Sequence, residues 1–422
     1  MTDQTVRRDH QNDEDRLIRR IREKFGTPAL PADERATQAP PELRERRAVM
    51  ELRADRLVNN YRAVKELAGE LEVLPMVKAN AYGHGAQWSS RILAQQAGVC
   101  GLGVASLGEG REVRRALKDS HRSLRIVVYS GASPWNEEVG AFCEAYGLTP
   151  VLYQEEDFLL FLKQGWVSRI SYELKFNTGM NRLGLGLGFL SRVRRELQGL
   201  PAEHHPIGIM SHLACGDRPE HQLTRFQVDQ FLTIRRELEG IAPTARYSLA
   251  ASSGLWNQKQ LQLSRISDHV RPGLSLYGVP PWKGAPLRGI APVMTVRARV
   301  LQKRSIKAGD QIGYDGSFRV IHKSPVQNMA VLAVGYADGL DRSLSGVAQP
   351  GGWVWLGGRE ERILGKVSMD LTAVSCSSNI SPGEWAEVLG DHLDLWAQAE
   401  MAGTVPYELL IAWSDRVERV YS

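Results

Sequence analysis

Between residues 73 and 277 the chain repeats one pattern eight times: a short run that is apolar along most of its length, followed in several cases by a stretch with helical periodicity. The runs fall at residues 73–77, 101–105, 126–129, 149–153, 170–176, 206–212, 247–251 and 270–277, and amphipathic helical stretches such as 89–96 and 223–238 lie between them. Runs apolar on both faces are strands of a parallel sheet covered on both sides. Eight is the number that closes a (β/α)8 barrel. An open doubly wound sheet is the alternative, but its G-x-G-x-x-G turn after the first strand is absent.

After Gly278 the rhythm changes. Strand-like segments at 293–300, 311–314, 329–334, 353–356, 373–376 and 386–389 follow one another through Gly and Asp turns, with little helix until 393–401. This predicts a second, mostly β domain behind a Pro-rich boundary at Pro280, Pro281, Pro286 and Pro292. The expected organisation is a charged extension over 1–47, a barrel over 48–287 and a β domain over 288–422. The first 50 residues hold eleven Lys/Arg and ten Asp/Glu. Within them Leu17, Ile18, Ile21 and Phe25 fall on one side of a helix predicted from Asp13 to Gly26. The segment reads as a solvated, flexible tail, with a docking arm as the alternative.

Composition narrows the class without identifying it. A chain of 422 residues, 43% hydrophobic, can bury a large core without staples. No apolar run approaches the ~18–20 residues of a membrane span, and no secretory leader is expected. Lys+Arg 53 and Asp+Glu 48 are interspersed, unlike a nucleic-acid stripe. Cys100, Cys143, Cys215 and Cys376 are scattered, which predicts a reducing compartment and no metal site. What remains is a cytoplasmic enzyme or binding protein with neither a nucleic-acid nor a membrane partner.

In a parallel barrel the working side chains stand at the C-terminal ends of the strands. The first run ends at Lys78. A lysine there is costly to desolvate, and desolvation lowers its pKa, which suits a Schiff-base amine; a rim salt bridge is the plainer explanation. Later strand ends carry Lys175 and Arg182, His212, Ser252 and Arg271. Each alone has an ordinary structural account. Five at consecutive strand ends mark one site. Ser252 and the amides near Gly273 and Leu274 follow the last two strands, where barrels commonly hold a phosphate.

The motifs V-K-A-N-A-Y-G-H-G, L-K-F-N-T-G-M-N-R-L-G, V-R-P-G-L-S-L-Y-G, I-G-Y-D-G-S-F, V-G-Y-A-D-G and G-K-V-S-M-D, in this order, resemble those of the alanine racemases. The resemblance runs from about Ala48 to Arg419. It implies a barrel that binds pyridoxal 5'-phosphate (PLP), a β domain, a small amino-acid substrate and a homodimer with shared active sites. It further implies that Lys78 holds the cofactor and serves as one base, with Tyr314 of the partner subunit as the other. Tyr82, Ser252 and Tyr407, with the Gly273 and Leu274 amides, would hold the phosphate. Arg271 would face the pyridine nitrogen, and His212 would pack on the ring and link Arg271 to Tyr314. Arg182 and the Met369 amide would meet the substrate carboxylate. Lys175 resembles a lysine often carbamylated in the family, and Asp217, Tyr336 and Arg342 resemble entrance-corridor residues.

Racemisation removes a proton from one face of Cα and returns one to the other, so two opposed bases are the direct solution. A free phenol ionises near pH ~10, so a tyrosine base needs cationic or hydrogen-bonded help. Arginine against the ring nitrogen weakens the cofactor as an electron sink, which separates this sequence from the fold-related decarboxylases with an acidic residue there. A bare-barrel PLP carrier would lack the second domain. The chain departs from the family pattern at Asn177, usually Asp; Ala251, usually Asn; Asp315, usually Gly; Lys366, often Arg; and Ser368, often Cys. The function implied is interconversion of L- and D-alanine for peptidoglycan, with a broad-specificity amino-acid racemase as the alternative.

Overall fold

The computed structural model describes residues 46–422 except 118–120, 122 and 322–326. The helix predicted at 13–26, and all but the end of the predicted 1–47 extension, lie outside the described residues. The described chain begins with β1 (Ala48–Leu52) and then builds eight barrel strands. These are β2 (Glu72–Val73), β3 (Gly101–Val104), β4 (Arg125–Val128), β5 (Leu148–Leu152), β6 (Glu173–Lys175), β7 (Gly208–Met210), β8 (Arg246–Ser248) and β9 (His269–Val270).

Strands β3 to β8 form a parallel sheet in sequence order, and β2 pairs in parallel with β9. Backbone hydrogen bonds close the ring. The amides of Val77 and Gly103 donate to the Gly103 and Pro75 carbonyls (both 2.8 Å), joining the β2 end to β3. The Arg271 amide donates to the Ala250 carbonyl (3.0 Å) and the Asp268 amide to the Tyr247 carbonyl (2.7 Å), joining β9 to β8. The result is the (β/α)8 architecture.

The strands are short and buried on both faces, as at β5, where all five residues are buried. Around them the helices present one apolar side. Gln222–Leu238 buries Thr224, Gln227, Phe231, Ile234 and Leu238, a stripe spaced by three and four residues. Inside the barrel Leu74, Val127, Val151 and Met210 pack as one apolar layer from four different strand runs. That layer is the floor on which the mouth of the barrel rests.

The second half is organised around β10 (Met294–Ser305). The short strands β11 (Gln311–Ile312) and β12 (Phe318–Arg319) form a separate antiparallel hairpin. The larger sheet adds β13 (Asn328–Leu332), β14 (Trp353–Leu356), β15 (Arg359–Arg362), β16 (Thr372–Ser375), β17 (Trp385–Leu389) and β18 (Glu418–Tyr421). One element departs from the expected organisation. Ala48–Leu52, placed by the sequence at the start of the barrel segment, pairs antiparallel with β10 and parallel with β18. Its buried side chains, Met50 and Leu52 among them, enter the core of the second half. The described chain thus starts in the β sheet, crosses to the barrel and returns, tying both halves together.

Candidate active site

A cavity of about 300 Å³ opens at the C-terminal ends of the barrel strands. Lys78, Lys175, Arg182, His212 and Arg271 line it, and so do Tyr82, Ser252, Gly273, Leu274 and Tyr407. Ten of the residues singled out from the sequence therefore converge on one pocket. Met76, Tyr129, Met210 and Pro281 also line it, and the sequence analysis missed them. Tyr129 directly follows β4, so the strand-end rule was the signal that could have found it.

The V-K-A-N-A-Y-G motif works through its backbone. Ala79, Asn80, Ala81 and Tyr82 all have φ between 50° and 55°, a left-handed turn that L-residues adopt at a cost of about 1–2 kcal/mol each. The turn is held from outside. Glu109 accepts hydrogen bonds from the amides of Ala79 (2.7 Å), Ala105 (2.7 Å) and Ser106 (3.2 Å), and Asn80 Oδ1 accepts from the Ala86 amide (2.8 Å). Strain of this kind persists only where the surroundings fix it. Its effect is to aim Lys78 and Tyr82 into the same cavity. Glu109 was also missed, although the S-x-x-E spacing of Ser106 and Glu109, a helix capping box, was visible in the sequence.

The opposite corner suits a phosphate. Ser252 Oγ accepts from the Gly273 amide (3.2 Å), and the Tyr82 ring stacks on Tyr277 (5.0 Å) with Tyr407 at 5.9 Å. A Cβ on Gly273 would lie 2.0 Å from the Tyr82 hydroxyl, so only glycine lets that phenol approach. Tyr407 arrives from the second half, on the helix Pro406–Ile411. A Cβ on Gly83 would meet the Leu410 carbonyl at 2.3 Å, so this helix packs directly on the Lys78 turn.

Lys175 ends β6, and the following loop folds back over it. The Leu185 amide donates to the Lys175 carbonyl (2.8 Å), and the Asn177 amide donates to the Leu185 carbonyl (3.0 Å). Asn177 Oδ1 accepts from the Gly179 and Asn181 amides (3.1 and 3.0 Å). Asparagine therefore fulfils the acceptor role that aspartate would have, and the loop brings Arg182 to the cavity. Arg271 is buried, its guanidinium donating to Ser248 Oγ and to the Ser211 carbonyl (2.6 Å). The expected link from Arg271 through His212 is not among these bonds.

The electrostatics point to an anionic ligand. Burial pushes Lys78 down, with Arg182 and Arg271 adding to the shift against Glu109. Burial and the charges of Arg182, Arg271 and Lys78 push Lys175 down to about 8. His212 falls to about 3 for the same reasons, so its ring is neutral near pH 7 and can help a neighbour only by hydrogen bonding or packing. The charges acting on Lys175 and His212 are all positive. A desolvated pocket of mutually repelling cations is stabilised by anions such as a phosphate, a phenolate and a carboxylate. The donor set and the glycine-dependent cradle thus fit PLP.

Tyr314, Tyr336, Arg342 and Met369 do not reach this cavity. Tyr314 is 70% exposed, Met369 52% and Tyr336 42%. They stand on one connected platform of the second half. The amides of Tyr336 and Ala337 donate to the Ser368 and Met369 carbonyls (both 3.0 Å), and the Gly346 amide donates to the Gly365 carbonyl (2.9 Å). Asp217 is exposed on the barrel side, beside Arg218 at 3.5 Å.

A barrel whose mouth carries an activated lysine, a phosphate corner and a cluster of cations defines an enzyme that handles anionic ligands through an amine. Comparison with known proteins sharpens this. Residues 52–281 match the family model for the alanine racemase N-terminal domain, and residues 293–421 match that for the C-terminal domain. The alanine racemase of Carboxydothermus hydrogenoformans is 33% identical over 384 residues, covering 88% of this chain and 98% of that protein. The biosynthetic alanine racemase of Pseudomonas aeruginosa superposes with a TM-score of 0.78 at 30% identity, covering 89% of this chain and 99% of the other. The Bartonella henselae alanine racemase with covalently bound pyridoxal phosphate gives 0.76 at 28%, with 89% and 99% covered. The chain belongs to the alanine racemase family and is an isomerase.

The cradle makes a direct prediction. Gly273→Ala should displace Tyr82 and weaken PLP binding at least about tenfold, the equivalent of 1.4 kcal/mol, measured by cofactor titration of the apoprotein. Unchanged affinity would mean that the phosphate binds elsewhere.

Proposed function

We propose that the chain interconverts L- and D-alanine with PLP by a two-base mechanism, using Lys78 and Tyr314 of a partner subunit. The observation that carries this reading is the separation of parts. The cofactor residues line one barrel cavity, whereas Tyr314 and Met369 project, exposed, from the other half of the chain. The exposed apolar groups Tyr314, Tyr336, Met369 and Leu371 support a face that a second copy covers. No helix among the described residues is long and apolar enough to cross a membrane.

When bound, PLP supplies the electron-withdrawing system that acidifies the substrate Cα–H. Lys78, whose pKa burial lowers, would hold the cofactor and move the proton at one face of Cα. The Tyr314 oxygen would move the proton at the other face. Arg182 and the Met369 amide would bind the substrate carboxylate, and Tyr82, Tyr407, Ser252 and the Gly273 and Leu274 amides would hold the phosphate. Arg271 would offer the ring nitrogen a guanidinium, which cannot stabilise a positive charge beside it. Neutral His212 would pack on the ring. Asp217, Tyr336 and Arg342 would line the entrance, and Tyr314 with Tyr407 would crowd out long side chains. The reading extends to a cytoplasmic role supplying D-alanine for peptidoglycan, and the similar P. aeruginosa enzyme is a biosynthetic alanine racemase.

Lys175 is suited to carbamylation. Its lowered pKa leaves much of the amine neutral near pH 8, so the nitrogen can attack carbon dioxide, forming an N–C bond and releasing a proton to solvent. The carbamate would give Arg182 an anionic partner. Carbon-13 NMR with labelled bicarbonate should reveal a carbamate that grows as pH rises through about 8 and is lost in Lys175→Ala. Absence of that signal in the native protein would refute the modification.

The activity itself is tested by Cα proton exchange in heavy water with chiral analysis. Exchange with inversion is expected for alanine, and Tyr314→Phe should slow it by about 100-fold or more. Comparable inversion of serine, lysine and arginine would shift the protein to the broad-specificity class. No exchange with PLP present would overturn the reading.

A further inference from the structure

Tyr314 stands at the tip of a hairpin with only two paired residues on each side, β11 and β12. Two-stranded ribbons of that length are marginal alone, yet a catalytic base must be fixed to within a fraction of an ångström. The foot of the hairpin is secured by a small core of Ile312, Phe318, Val320 and Leu364. The tip lies against the segment that leads to Met369. A Cβ on Gly365 would meet the Ile312 carbonyl oxygen at 2.7 Å, and one on Gly313 would meet the Lys366 amide nitrogen at 3.1 Å.

Asp315 is the residue at the tip that demands an explanation. Its φ is +60°, in the left-handed region where glycine would sit without strain. Its carboxylate forms an ion pair with the Lys366 ammonium. These are two of the positions at which the sequence departs from the family pattern, and in the fold they meet. Lys366 continues through Val367, whose amide donates to Ser345 Oγ (3.0 Å), into Ser368 and Met369. The Asp315–Lys366 contact is therefore an ionic side-chain link, beside the apolar packing of Leu364, between the turn bearing Tyr314 and the loop bearing Met369.

We propose that Asp315 and Lys366 are positioning residues whose ion pair locks the Tyr314 turn to the Met369 loop, so that base and carboxylate contact enter a neighbouring barrel as one preset unit. This rests on the reading of Tyr314 as the second base. The pair touches no reacting atom. It acts by restricting where the phenol oxygen stands, and a misplacement of about 1 Å can cost ~100-fold in rate. Asp315 is exposed on the single chain, and a second copy covering the platform would shield the pair from the solvent and salt that weaken exposed ion pairs.

The experiment compares Asp315→Asn, Lys366→Met and the double variant in the PLP-loaded protein, using Cα-deuterated L- and D-alanine. Asparagine tolerates left-handed backbone, so the first variant removes charge without adding strain. Each single variant should lower kcat about tenfold with little change in KM, and the double variant should be no worse than either. The primary isotope effect should rise for the enantiomer whose proton Tyr314 takes and fall for the other, an asymmetry that a general loss of folding would not produce. Sedimentation should show the same oligomer throughout. Unchanged kcat and isotope effects, additive losses or dissociation of the variants would overturn the proposal. Tyr314→Phe, run alongside, separates the two layers. If it retains full activity, the reading of Tyr314 fails and the proposal with it; if it is inactive while the charge variants behave as native, the ion-pair proposal alone fails.

Discussion

Four cations forced together at the mouth of the barrel are the constraint from which the rest of the site follows. Lys78, Arg271 and the loop carrying Lys175 and Arg182 are brought to one cavity by three strand ends; burial lowers the pKa of Lys78, Lys175 and Arg271, and the neighbouring cations add to the shift of the two lysines. A protein bears that cost only if ligand anions relieve it. Arg271 is pinned by Ser248 and the Ser211 carbonyl, so it cannot swing away, and Lys78 is fixed by a left-handed turn that Glu109 and Asn80 hold shut. Burial, with the repulsion of neighbouring cations added to it, lowers the pKa of Lys78 and brings Lys175 down to about 8. On the proposed reading, affinity for the cofactor and activation of Lys78 would have a common origin.

The second half of the chain answers a different need. Its sheet begins with Ala48–Leu52 and ends with Glu418–Tyr421, so the chain's described ends are both sewn into it. From that frame it extends Tyr407 into its own barrel and presents Tyr314, Tyr336 and Met369 away from it. On the proposed reading, a single chain carries a cavity lacking an opposed base and a base lacking a cavity. Symmetric pairing would resolve both at once, because an isologous contact repeats the same exchange in each direction.

Much of this was legible from residue order. All eight barrel runs were marked by apolar patterning, since strands covered on both faces have no polar side to hide them, and the strand-end rule brought Lys78, Lys175, Arg182, His212, Ser252 and Arg271 forward. What patterning missed has identifiable causes. Ala48–Leu52 alternates as any half-buried strand does, and nothing local says which sheet it joins. Arg359–Arg362 is an edge strand of charged residues, where no apolar face is required. The roles of Glu109 and of the Asp315–Lys366 pair depend on contacts across 30 and 51 positions of sequence, which no periodicity encodes. The neutrality of His212 follows from neighbours supplied by other strands.

The central claim, that one active site draws its two bases from two copies of the chain, is tested most directly by subunit complementation. Lys78→Ala and Tyr314→Phe homodimers, each inactive alone, would be mixed, dissociated and allowed to reassociate. Shared sites predict recovery toward about a quarter of native activity, because a random half of the dimers would be hybrids and each hybrid would contain one intact site. A mixture no more active than its parents, with hybrid dimers verified by mass, would mean that both bases belong to the same subunit.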